Sequence, residues 1–444
     1  MSTPLTINSV ETLEQALPII RKAQELYSTF SQEQVDAICE KSAMAVSKMR
    51  IPLAKMACEE TGYGIMVDKV TKNQYASEHV WNYMRNKKTC GVIEENKAFG
   101  TMRIASPKGV IAAITPTTNP TETIICNSIG MLAAGNAVVF SPHPRAKKVS
   151  LHLIQLINKA LCKAGAPANL VVTVSAPSIE NTNAMMSHPK IRMLVATGGP
   201  AIVKTVLSSG KKAIGAGAGN PPVVVDETAD IEKAAKDIVD GCSFDNNLPC
   251  IAEKEVIAVD SVADYLIFNM KKNGAYEVKD PAVISQLVEL VTKEGKSPKT
   301  EFVGKSAKYI LDKIGISVGD DVKVILMETK EDHPFVQVEL MMPILPLVRV
   351  PDVDQAIEMA VRVEHGNRHT AMMHSRNVEK LTKMAKLIQT TIFVKNGPSY
   401  AGIGVGGEGY TTFTIAGPTG EGLTSAKSFA RRRRCVLVGG MDVR

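Results

Sequence analysis

The chain has 444 residues, of which 45% are hydrophobic and 22% charged, and its formal net charge is +7. This length predicts two or three domains rather than one core, and the composition is that of a globular protein with some affinity for anions. The longest apolar stretches, such as residues 110–114, are too short to span a bilayer, and residues 1–12 lack the basic start and apolar run of a secretory signal.

The first part of the chain, residues 9–86, is predicted to be mainly helical. Ser31 and Gln34 have the spacing of a capping box, and apolar residues recur at helical spacing over 35–49. Residues 97–104 (KAFGTMRI) then have the character of a hairpin. We therefore expect a helical start followed by a β-hairpin.

From residue 110 onwards, short apolar strands alternate with helices. Strands are predicted at 110–115, 137–140, 170–174 and 192–196, with helices at 123–134 and 148–164. The second half repeats the pattern, with strands at 222–225, 254–259 and 391–394 and a helix at 231–240. Strands buried on both faces of a parallel sheet are continuous apolar runs, and helices connect them. We therefore predict an α/β fold with doubly wound, largely parallel sheets.

Four consecutive arginines at residues 431–434 supply much of the positive charge. Such a run could form a nucleic-acid patch. It lacks interleaved aromatic residues, however, and aromatic residues make up only 5% of the chain. We therefore expect a solvated or subunit-facing strand edge and no nucleic-acid partner.

The eight cysteines lie at positions 39, 58, 90, 126, 162, 242, 250 and 435, with neither a CxxC motif nor Cys/His ligand spacing. This pattern predicts reduced, mostly buried structural thiols in a cytosolic type of compartment, and no metal site.

Three glycine-rich segments are candidates for binding phosphate: residues 197–200, 215–219 and 402–409. None has the GxGxxG pattern with its acidic residue or a Walker A loop. The glycines at 215–219 could let the backbone approach a ligand closely, or they could only let two strands pack against each other. Residues 197–200 (TGGP) follow a predicted strand and open a helix with proline, where backbone amides favour phosphate.

Cys250 taken alone is best interpreted as a small apolar filler. The wider sequence changes this, because five segments occur in an order that resembles the aldehyde dehydrogenase superfamily, specifically its CoA-acylating branch. They are ITPTTNPT (114–121), GAGAGNPP (215–222), FDNNLPC (244–250), ELMMPILP (339–346) and TFTIAGPTGEG (412–422). The similarity extends over about residues 10–440. It includes the aldehyde dehydrogenases of bacterial microcompartments and the aldehyde half of bifunctional aldehyde–alcohol dehydrogenases.

By this resemblance, Cys250 is the nucleophile that adds to the aldehyde carbonyl. Asn119 matches the residue whose amide holds the developing oxyanion together with the backbone N–H at the cysteine. Its spacing to the following proline differs by one residue from the hydrolytic enzymes, so Thr118 and Thr117 stay as alternatives, and the local sequence also fits a turn residue. His369 is expected to assist thiol deprotonation or to contact CoA; a structural histidine is the alternative.

The resemblance also implies NAD as the cofactor. Glu339 matches the glutamate that binds the nicotinamide ribose. The residues expected to bind the dinucleotide are Thr115, Pro116, Thr117, Ser141, His143, Thr197, Gly198, Gly199, Gly215 and Gly217. The family's Lys and Glu that bind the adenosine ribose are replaced by Ser141 and Pro144, so NADP stays open.

Gly215 stands where the hydrolytic members carry the glutamate that activates water. A thiol ionises near pH ~8.5, whereas the pKa of water is about 15.7, so a site without this base favours a thiol acceptor. We also expect Gly215 to open space for a bulky acceptor.

The predicted function is a CoA-acylating aldehyde dehydrogenase. It would convert a short-chain aldehyde (propanal or acetaldehyde), coenzyme A and NAD to acyl-CoA and NADH, through a thiohemiacetal and an acyl thioester on Cys250. The alternatives are a phosphate-accepting or other non-acylating semialdehyde dehydrogenase and a non-catalytic microcompartment cargo protein.

The expected domains are a dinucleotide-binding domain (1–89 and 107–214), a catalytic thiol domain (215–405) and an oligomerisation arm (90–106 and 406–444). The arm implies a homodimer or a dimer of dimers, with microcompartment shell or cargo proteins as further partners and no membrane association. Relatives in microcompartments carry an extra targeting helix ahead of the region matching residue 10. The expected location is therefore the cytoplasm or, for a trimmed chain, a microcompartment lumen.

Overall fold

Two parallel sheets and a small antiparallel sheet organise the chain, for which a computed structural model describes residues 5–438. The strands are β1 Thr6–Ile7, β2 Gly91–Asn96, β3 Thr101–Pro107, β4 Val110–Thr115, β5 Ala137–Pro142, β6 Val171–Val174, β7 Ile191–Thr197, β8 Lys212–Ala216, β9 Pro222–Val225, β10 Glu255–Val259, β11 Ala275–Glu277, β12 Thr292–Lys293, β13 Ser297–Pro298, β14 Val324–Glu328, β15 Ile344–Val350, β16 Thr370–His374, β17 Ile392–Lys395, β18 Ile415–Ala416, β19 Gly422–Leu423 and β20 Ala430–Val436.

The helices are α1 Val10–Tyr27, α2 Gln32–Lys48, α3 Arg50–Thr61, α4 Met66–Gln74, α5 Val80–Met84, α6 Pro120–Ala133, α7 Lys147–Lys163, α8 Ile179–Ser187, α9 Pro200–Leu207, α10 Ile231–Ser243, α11 Asp260–Lys272, α12 Pro281–Val291, α13 Ala307–Asp312, α14 Pro334–Gln337, α15 Val353–Val363, α16 Val378–Ile388 and α17 Ala426–Phe429. The predicted helical start, the capping box at Ser31 and the α/β fold are confirmed. Within residues 5–438, every helix is too short or too polar to span a bilayer.

The chain divides into two units. The first contains the residues up to Thr61, Val70–Ala216 and the residues from Thr411 onwards; the second contains Gly62–Lys69 and Gly217–Tyr410. The first unit holds a six-stranded sheet in the order β1-β6-β5-β4-β7-β8, in which every pairing is parallel. The strand order reverses between β4 and β7, and ligands of open α/β sheets bind at the carboxyl ends of strands at such a point.

The second unit holds a seven-stranded parallel sheet in the order β11-β14-β15-β10-β9-β16-β17. Its central strands β9 and β10 are buried along their whole length. Apolar residues of β9, β10, β15 and β16 pack with helices α15 and α16 into one core cluster. The sheet therefore gives a rigid base to the loops at its ends.

The first unit also carries a three-stranded antiparallel sheet with β3 between β2 and β20. The hairpin expected near residue 100 is therefore present. The four arginines at 431–434 are exposed on the edge strand β20, as expected for a solvated strand edge. The predicted arm continues into residues 439–444, which lie outside the described residues.

The prediction that the cysteines are mostly buried is wrong. All eight are free, but only Cys39, Cys126 and Cys242 are buried, while Cys162 is exposed and the other four are partly exposed. A cysteine on a helix or strand edge gives the same local sequence signal whichever face it occupies, so burial depended on packing that the sequence did not specify.

Candidate active site

In the second unit, residues predicted for catalysis gather at the amino edge of the sheet. Four neighbouring strands, β15, β10, β9 and β16, begin there. Cys250 lies five residues before the start of β10, Glu339 five residues before β15, and His369 directly before β16. This edge is opposite to the carboxyl edge at which α/β sheets usually bind ligands.

The loop that carries Cys250 is held in an unusual backbone conformation. Asp245, Asn246 and Asn247 are three consecutive residues with positive φ, at 51°, 53° and 64°. Non-glycine residues rarely adopt this conformation, and it persists only where the surroundings enforce it. The carboxylate of Asp245 accepts hydrogen bonds from Lys69 Nζ at 2.9 Å and from Ile65 N at 2.6 Å.

The two asparagines of this loop are also fixed through their side chains. Asn246 Nδ2 donates to Gly304 O at 2.9 Å, and Asn247 Nδ2 donates to Cys242 O and Glu253 O, both at 2.9 Å. The backbone ahead of Cys250 is therefore determined by side-chain contacts on both sides, which places the cysteine in a set position.

A buried ammonium group lies beneath this loop. Lys254 is 4% exposed, and its Nζ donates to Asn247 Oδ1 at 2.5 Å, to Asn247 O at 3.1 Å and to Pro249 O at 3.5 Å. Burial lowers the pKa of Lys254, and this is opposed by its attraction to Glu339, Cys242 and Cys250. Positive charge near a cysteine favours the thiolate. Sequence analysis did not identify Lys254, although it lies only four residues after Cys250.

Glu253 next to this lysine has a structural role. Its carboxylate accepts hydrogen bonds from Ser399 N and Ser399 Oγ, both at 2.7 Å. A Cβ atom added to Gly241 would lie only 2.1 Å from Glu253 Oε1, so the glycine makes room for the carboxylate. Burial raises the pKa of Glu253 from 4.5 to about 7, against the hydrogen bonds from Ser399.

The raised pKa of Glu253 predicts a pH-dependent contribution to stability. The folded protein keeps a proton on Glu253 that the unfolded chain releases, so this contribution is complete below pH 4.5 and is lost as the pH rises through about 7. We expect Glu253→Gln to remove this dependence, so that the wild type loses stability relative to the variant over that range. Urea unfolding of both proteins between about pH 4.5 and 8 measures it; a difference that does not change with pH would contradict the assignment.

His369 is buried, and both its ring and the backbone of Cys250 lie close to Gly219. A Cβ atom added to Gly219 would lie 2.9 Å from His369 Cγ and 2.8 Å from Cys250 O, so only a glycine fits between the two. His369 Nδ1 is 2.9 Å from Thr370 Oγ1, whereas its Nε2 is buried and has no hydrogen-bond partner among the described residues.

The environment of His369 also bears on its expected role. Burial, and then the charge of Lys254, lower the pKa of His369 to about 3. A base this weak removes a thiol proton poorly. Of the two functional alternatives, the geometry therefore favours a neutral ring whose unsatisfied Nε2 hydrogen-bonds a ligand.

Glu339 completes the cluster of the second unit. It is partly exposed, and its carboxylate accepts the backbone N–H of Gly219. Burial raises the pKa of Glu339, and the charge of Lys254 opposes this. Lys254 thus links Cys250 and Glu339 electrostatically. Gly217 lies two residues before Gly219, in the loop between β8 and β9. A Cβ atom added to Gly217 would meet no other atom within 4 Å.

In the first unit, the residues expected to bind a dinucleotide lie at the carboxyl edge of the sheet, at the point where the strand order reverses. Thr115 ends β4, and its Oγ1 is buried without a hydrogen-bond partner among the described residues. Thr197 ends β7, and Gly199 precedes α9 without a side-chain cap and with open space at its Cβ position. A phosphate-bearing cofactor fits this edge, because the Thr115 hydroxyl is unsatisfied and the start of α9 has no side-chain cap beside the open space at Gly199.

Other residues predicted for this site have protein partners. Ser141 Oγ lies 3.0 Å from Thr182 Oγ1, and His143 Nδ1 accepts the backbone N–H of Arg145 at 3.2 Å. Gly198 N donates to Ala216 O at 3.1 Å. Pro116 and Thr117 lie in the partly buried loop between β4 and α6.

Asn119 is the N-cap residue of α6, but its side chain does not cap the helix. Its Oδ1 instead accepts a hydrogen bond from Lys72 Nζ at 2.6 Å, and its Nδ2 is 3.3 Å from Thr118 Oγ1. Lys72 also forms an ion pair with Glu122 at 3.1 Å, and both side chains are 0% exposed. Sequence reasoning did not identify Lys72 or Glu122, because neither carries a local signal of burial.

Gly215 is buried in β8, and the space at its Cβ position is taken. A Cβ atom there would lie 2.7 Å from Val203 Cγ1 of α9. The expectation that Gly215 opens space for a bulky acceptor is therefore wrong on this side, because Val203 fills it. The other part of the expectation is unaffected, because Gly215 still offers no carboxylate to activate water.

Sequence comparison connects these features with known proteins. A model of the aldehyde dehydrogenase family matches residues 5–415. A CoA-propanoylating propanal dehydrogenase of Salmonella typhimurium is 48% identical over 437 residues, covering 98% of this chain and 93% of its own. An acetylating acetaldehyde dehydrogenase of Escherichia coli strain K12 is 45% identical over 447 residues, covering 97% and 92%.

Solved structures agree in fold. Rhodopseudomonas palustris propionaldehyde dehydrogenase with bound CoA and an acylated cysteine has a TM-score of 0.92 at 62% identity, covering 98% of both chains. An engineered glycolyl-CoA reductase with bound NADP+ has a TM-score of 0.93 at 61% identity, covering 100% of both. A propionaldehyde dehydrogenase from the fucose utilisation microcompartment of Clostridium phytofermentans has a TM-score of 0.92 at 47% identity, also covering 100% of both.

Proposed function

The chain belongs to the aldehyde dehydrogenase family, and from this premise we propose that it oxidises a short-chain aldehyde with NAD and transfers the acyl group to coenzyme A. Relatives at 45% to 48% identity over almost the whole chain are named as acetylating and CoA-propanoylating enzymes. A solved structure at 62% identity contains CoA and an acylated cysteine. Both support an acyl-enzyme that is released by a thiol.

In the first half-reaction, the Cys250 thiolate adds to the aldehyde carbon and forms a C–S bond, giving a thiohemiacetal. Lys254 favours the thiolate by its charge, and the amide of Asn119 holds the oxygen as negative charge develops on it. NAD supplies the hydride acceptor when bound. Collapse of the oxyanion to a C=O bond expels the hydride from carbon and leaves an acyl thioester on Cys250.

In the second half-reaction, the thiolate of coenzyme A attacks the acyl carbon, and the Cys250 thiolate leaves. The observation that carries this choice of acceptor is Gly215, which offers no carboxylate to activate water and whose Cβ position is closed by Val203. Without such a base, water with a pKa of about 15.7 competes poorly with a thiol that ionises near pH ~8.5.

The Gly215–Val203 contact predicts the behaviour of a restored glutamate. Gly215→Glu would force its Cβ within 2.7 Å of Val203 Cγ1, so we expect a loss of about 1–3 kcal/mol of stability and no gain of hydrolysis. Adding Val203→Gly removes the clash and should restore most of the lost stability. Thermal unfolding of the single and double variants measures this, with Val203→Gly alone as the control. A Gly215→Glu variant as stable as the wild type would refute the steric account.

The proposed function is tested by initial rates of NADH formation from acetaldehyde, propanal and butanal. Each aldehyde is assayed with CoA, with phosphate and with neither acceptor. We expect sustained turnover only with CoA, and at most one NADH per active site without it. Equal turnover with phosphate would favour a phosphate-accepting semialdehyde dehydrogenase, and absence of turnover under all conditions would favour a non-catalytic protein.

We assign the dinucleotide to the first unit and the thiol chemistry to the second. Thr115, Thr197 and Gly199 would bind NAD. Residues 141–148 contain no carboxylate that would repel the 2′-phosphate of NADP, and a relative at 61% identity binds NADP+. Both dinucleotides therefore belong in the binding assays.

The three-stranded sheet of β2, β3 and β20, whose two edge strands β2 and β20 are largely exposed, is proposed as the arm of a homodimer or a dimer of dimers. A relative at 47% identity comes from a microcompartment, which supports a microcompartment lumen, in addition to the cytoplasm, as a place where this chain acts. Shell or cargo proteins would then be its partners.

A further inference from the structure

The side chain of Asn119 is held in one orientation by a lysine. An asparagine amide offers an acceptor on one side and donors on the other, and an ammonium group can only donate. Lys72 Nζ lies 2.6 Å from Asn119 Oδ1, so the carbonyl side of the amide must face the lysine. The NH2 side therefore faces away from Lys72, and Asn119 Nδ2 donates one hydrogen bond to Thr118 Oγ1 at 3.3 Å.

Lys72 is itself fixed by Glu122. The carboxylate lies 3.1 Å from Lys72 Nζ, and Glu122 Oε2 accepts a hydrogen bond from Thr121 Oγ1 at 3.1 Å. Lys72 and Glu122 are both completely buried, where an unpaired charge is strongly unfavourable. Because Asn119 Oδ1 accepts from Lys72, the start of α6 has no side-chain cap, so the orientation of the amide does not serve helix capping.

We propose that Lys72 is a positioning residue that turns the Nδ2 donors of Asn119 towards the oxygen of the reacting aldehyde. This inference rests on the proposed function, because it requires Asn119 to donate to the developing oxyanion. Without the lysine, the nearby Glu122 carboxylate would attract the Asn119 NH2 group, and the amide would turn its Oδ1 towards a negatively charged oxygen. The ammonium thus selects the orientation that favours the reaction.

The test is a double-mutant cycle on the first half-reaction. The rate of the single-turnover NADH burst without CoA is compared for the wild type, Asn119→Ala, Lys72→Met and the double variant. Removal of one oxyanion donor typically lowers the rate by about 10²–10³-fold, and we expect losses in this range for both single variants. Because Lys72 acts through Asn119, the double variant should be no slower than Asn119→Ala alone.

Two controls separate positioning from loss of stability. Lys72→Met/Glu122→Leu removes both buried charges, so it should regain thermal stability. Because neither group then selects an orientation of the Asn119 amide, its burst should lie between those of Lys72→Met and the wild type, and it replaces Lys72→Met in the cycle if that variant does not fold. Leu153→Ala, in the buried core on α7, should lose stability but keep its burst rate.

A wild-type burst rate in either Lys72 variant, or a loss that adds to that of Asn119→Ala, would overturn the proposal. Failure of the proposed function would appear elsewhere, as a wild-type enzyme that forms no acyl-CoA.

Discussion

Replacing Cys250 with alanine is expected to lower the rate of NADH formation by about four to six orders of magnitude, as removal of a catalytic nucleophile does in other covalent mechanisms. The aldehyde then has no group to form the C–S bond from which the hydride leaves. The loop should keep its shape, because Asp245, Asn246 and Asn247 are held by their own side-chain contacts. Thermal stability should therefore stay close to that of the wild type.

Cys162 provides the matched control for this variant. It is exposed on α7 in the first unit, so Cys162→Ala removes a thiol of the same type without changing the loop that carries Cys250. Its NADH formation should equal that of the wild type. Persistent CoA-dependent turnover in Cys250→Ala would show that another group is the nucleophile.

The second large effect is expected for Lys254→Met. The substitution removes the ammonium group that donates to Asn247 O and Asn247 Oδ1, and with it a positive charge that opposes the raised pKa of Glu339. Breaking a buried charge network costs about 3–5 kcal/mol. Loss of a nearby positive charge disfavours the thiolate, so the thiolate fraction of Cys250 at neutral pH should fall.

The pH dependence of Cys250 alkylation measures this effect without the cofactor. We expect the alkylation profile of Lys254→Met to move to higher pH, and kcat at neutral pH to fall with it. Lys271→Met is the matched control, because Lys271 is an exposed lysine on α11 and its partner Glu277 keeps a second ion pair, with Lys279. An unchanged alkylation profile in Lys254→Met would remove the lysine from the mechanism and leave it with a structural role.

The sequence alone was sufficient to predict strands that are continuously buried. The strand predicted at 110–115 coincides with β4, and the strand at 222–225 coincides with β9, because both are buried on two faces and read as uninterrupted apolar runs. Predicted strands at 254–259 and 391–394 begin one residue late in the structure. For the first, the backbone N–H of Lys254 still donates to Pro221 O at 3.1 Å, so the difference lies only in where the strand is counted to begin.

The candidate site was predictable only in part. Cys250, Glu339 and His369 were found through resemblance, and the structure brings them to one sheet edge. Lys72 and Lys254 were not found, because the sequence does not distinguish a buried lysine from an exposed one. The groups that hold them inside, Asn119 with Glu122 and the carbonyls of the loop at 247–249, are defined only by tertiary structure.

The most direct test of the account is the mass of the intact protein after a single turnover. The protein is incubated with propanal and NAD in the absence of CoA, and then divided into samples that receive CoA, phosphate or buffer. We predict a propanoyl adduct located on Cys250 that disappears in the CoA sample with formation of propanoyl-CoA and persists in the other two. An adduct that is lost equally fast in buffer, or no adduct on Cys250, would contradict acyl transfer from this cysteine to coenzyme A.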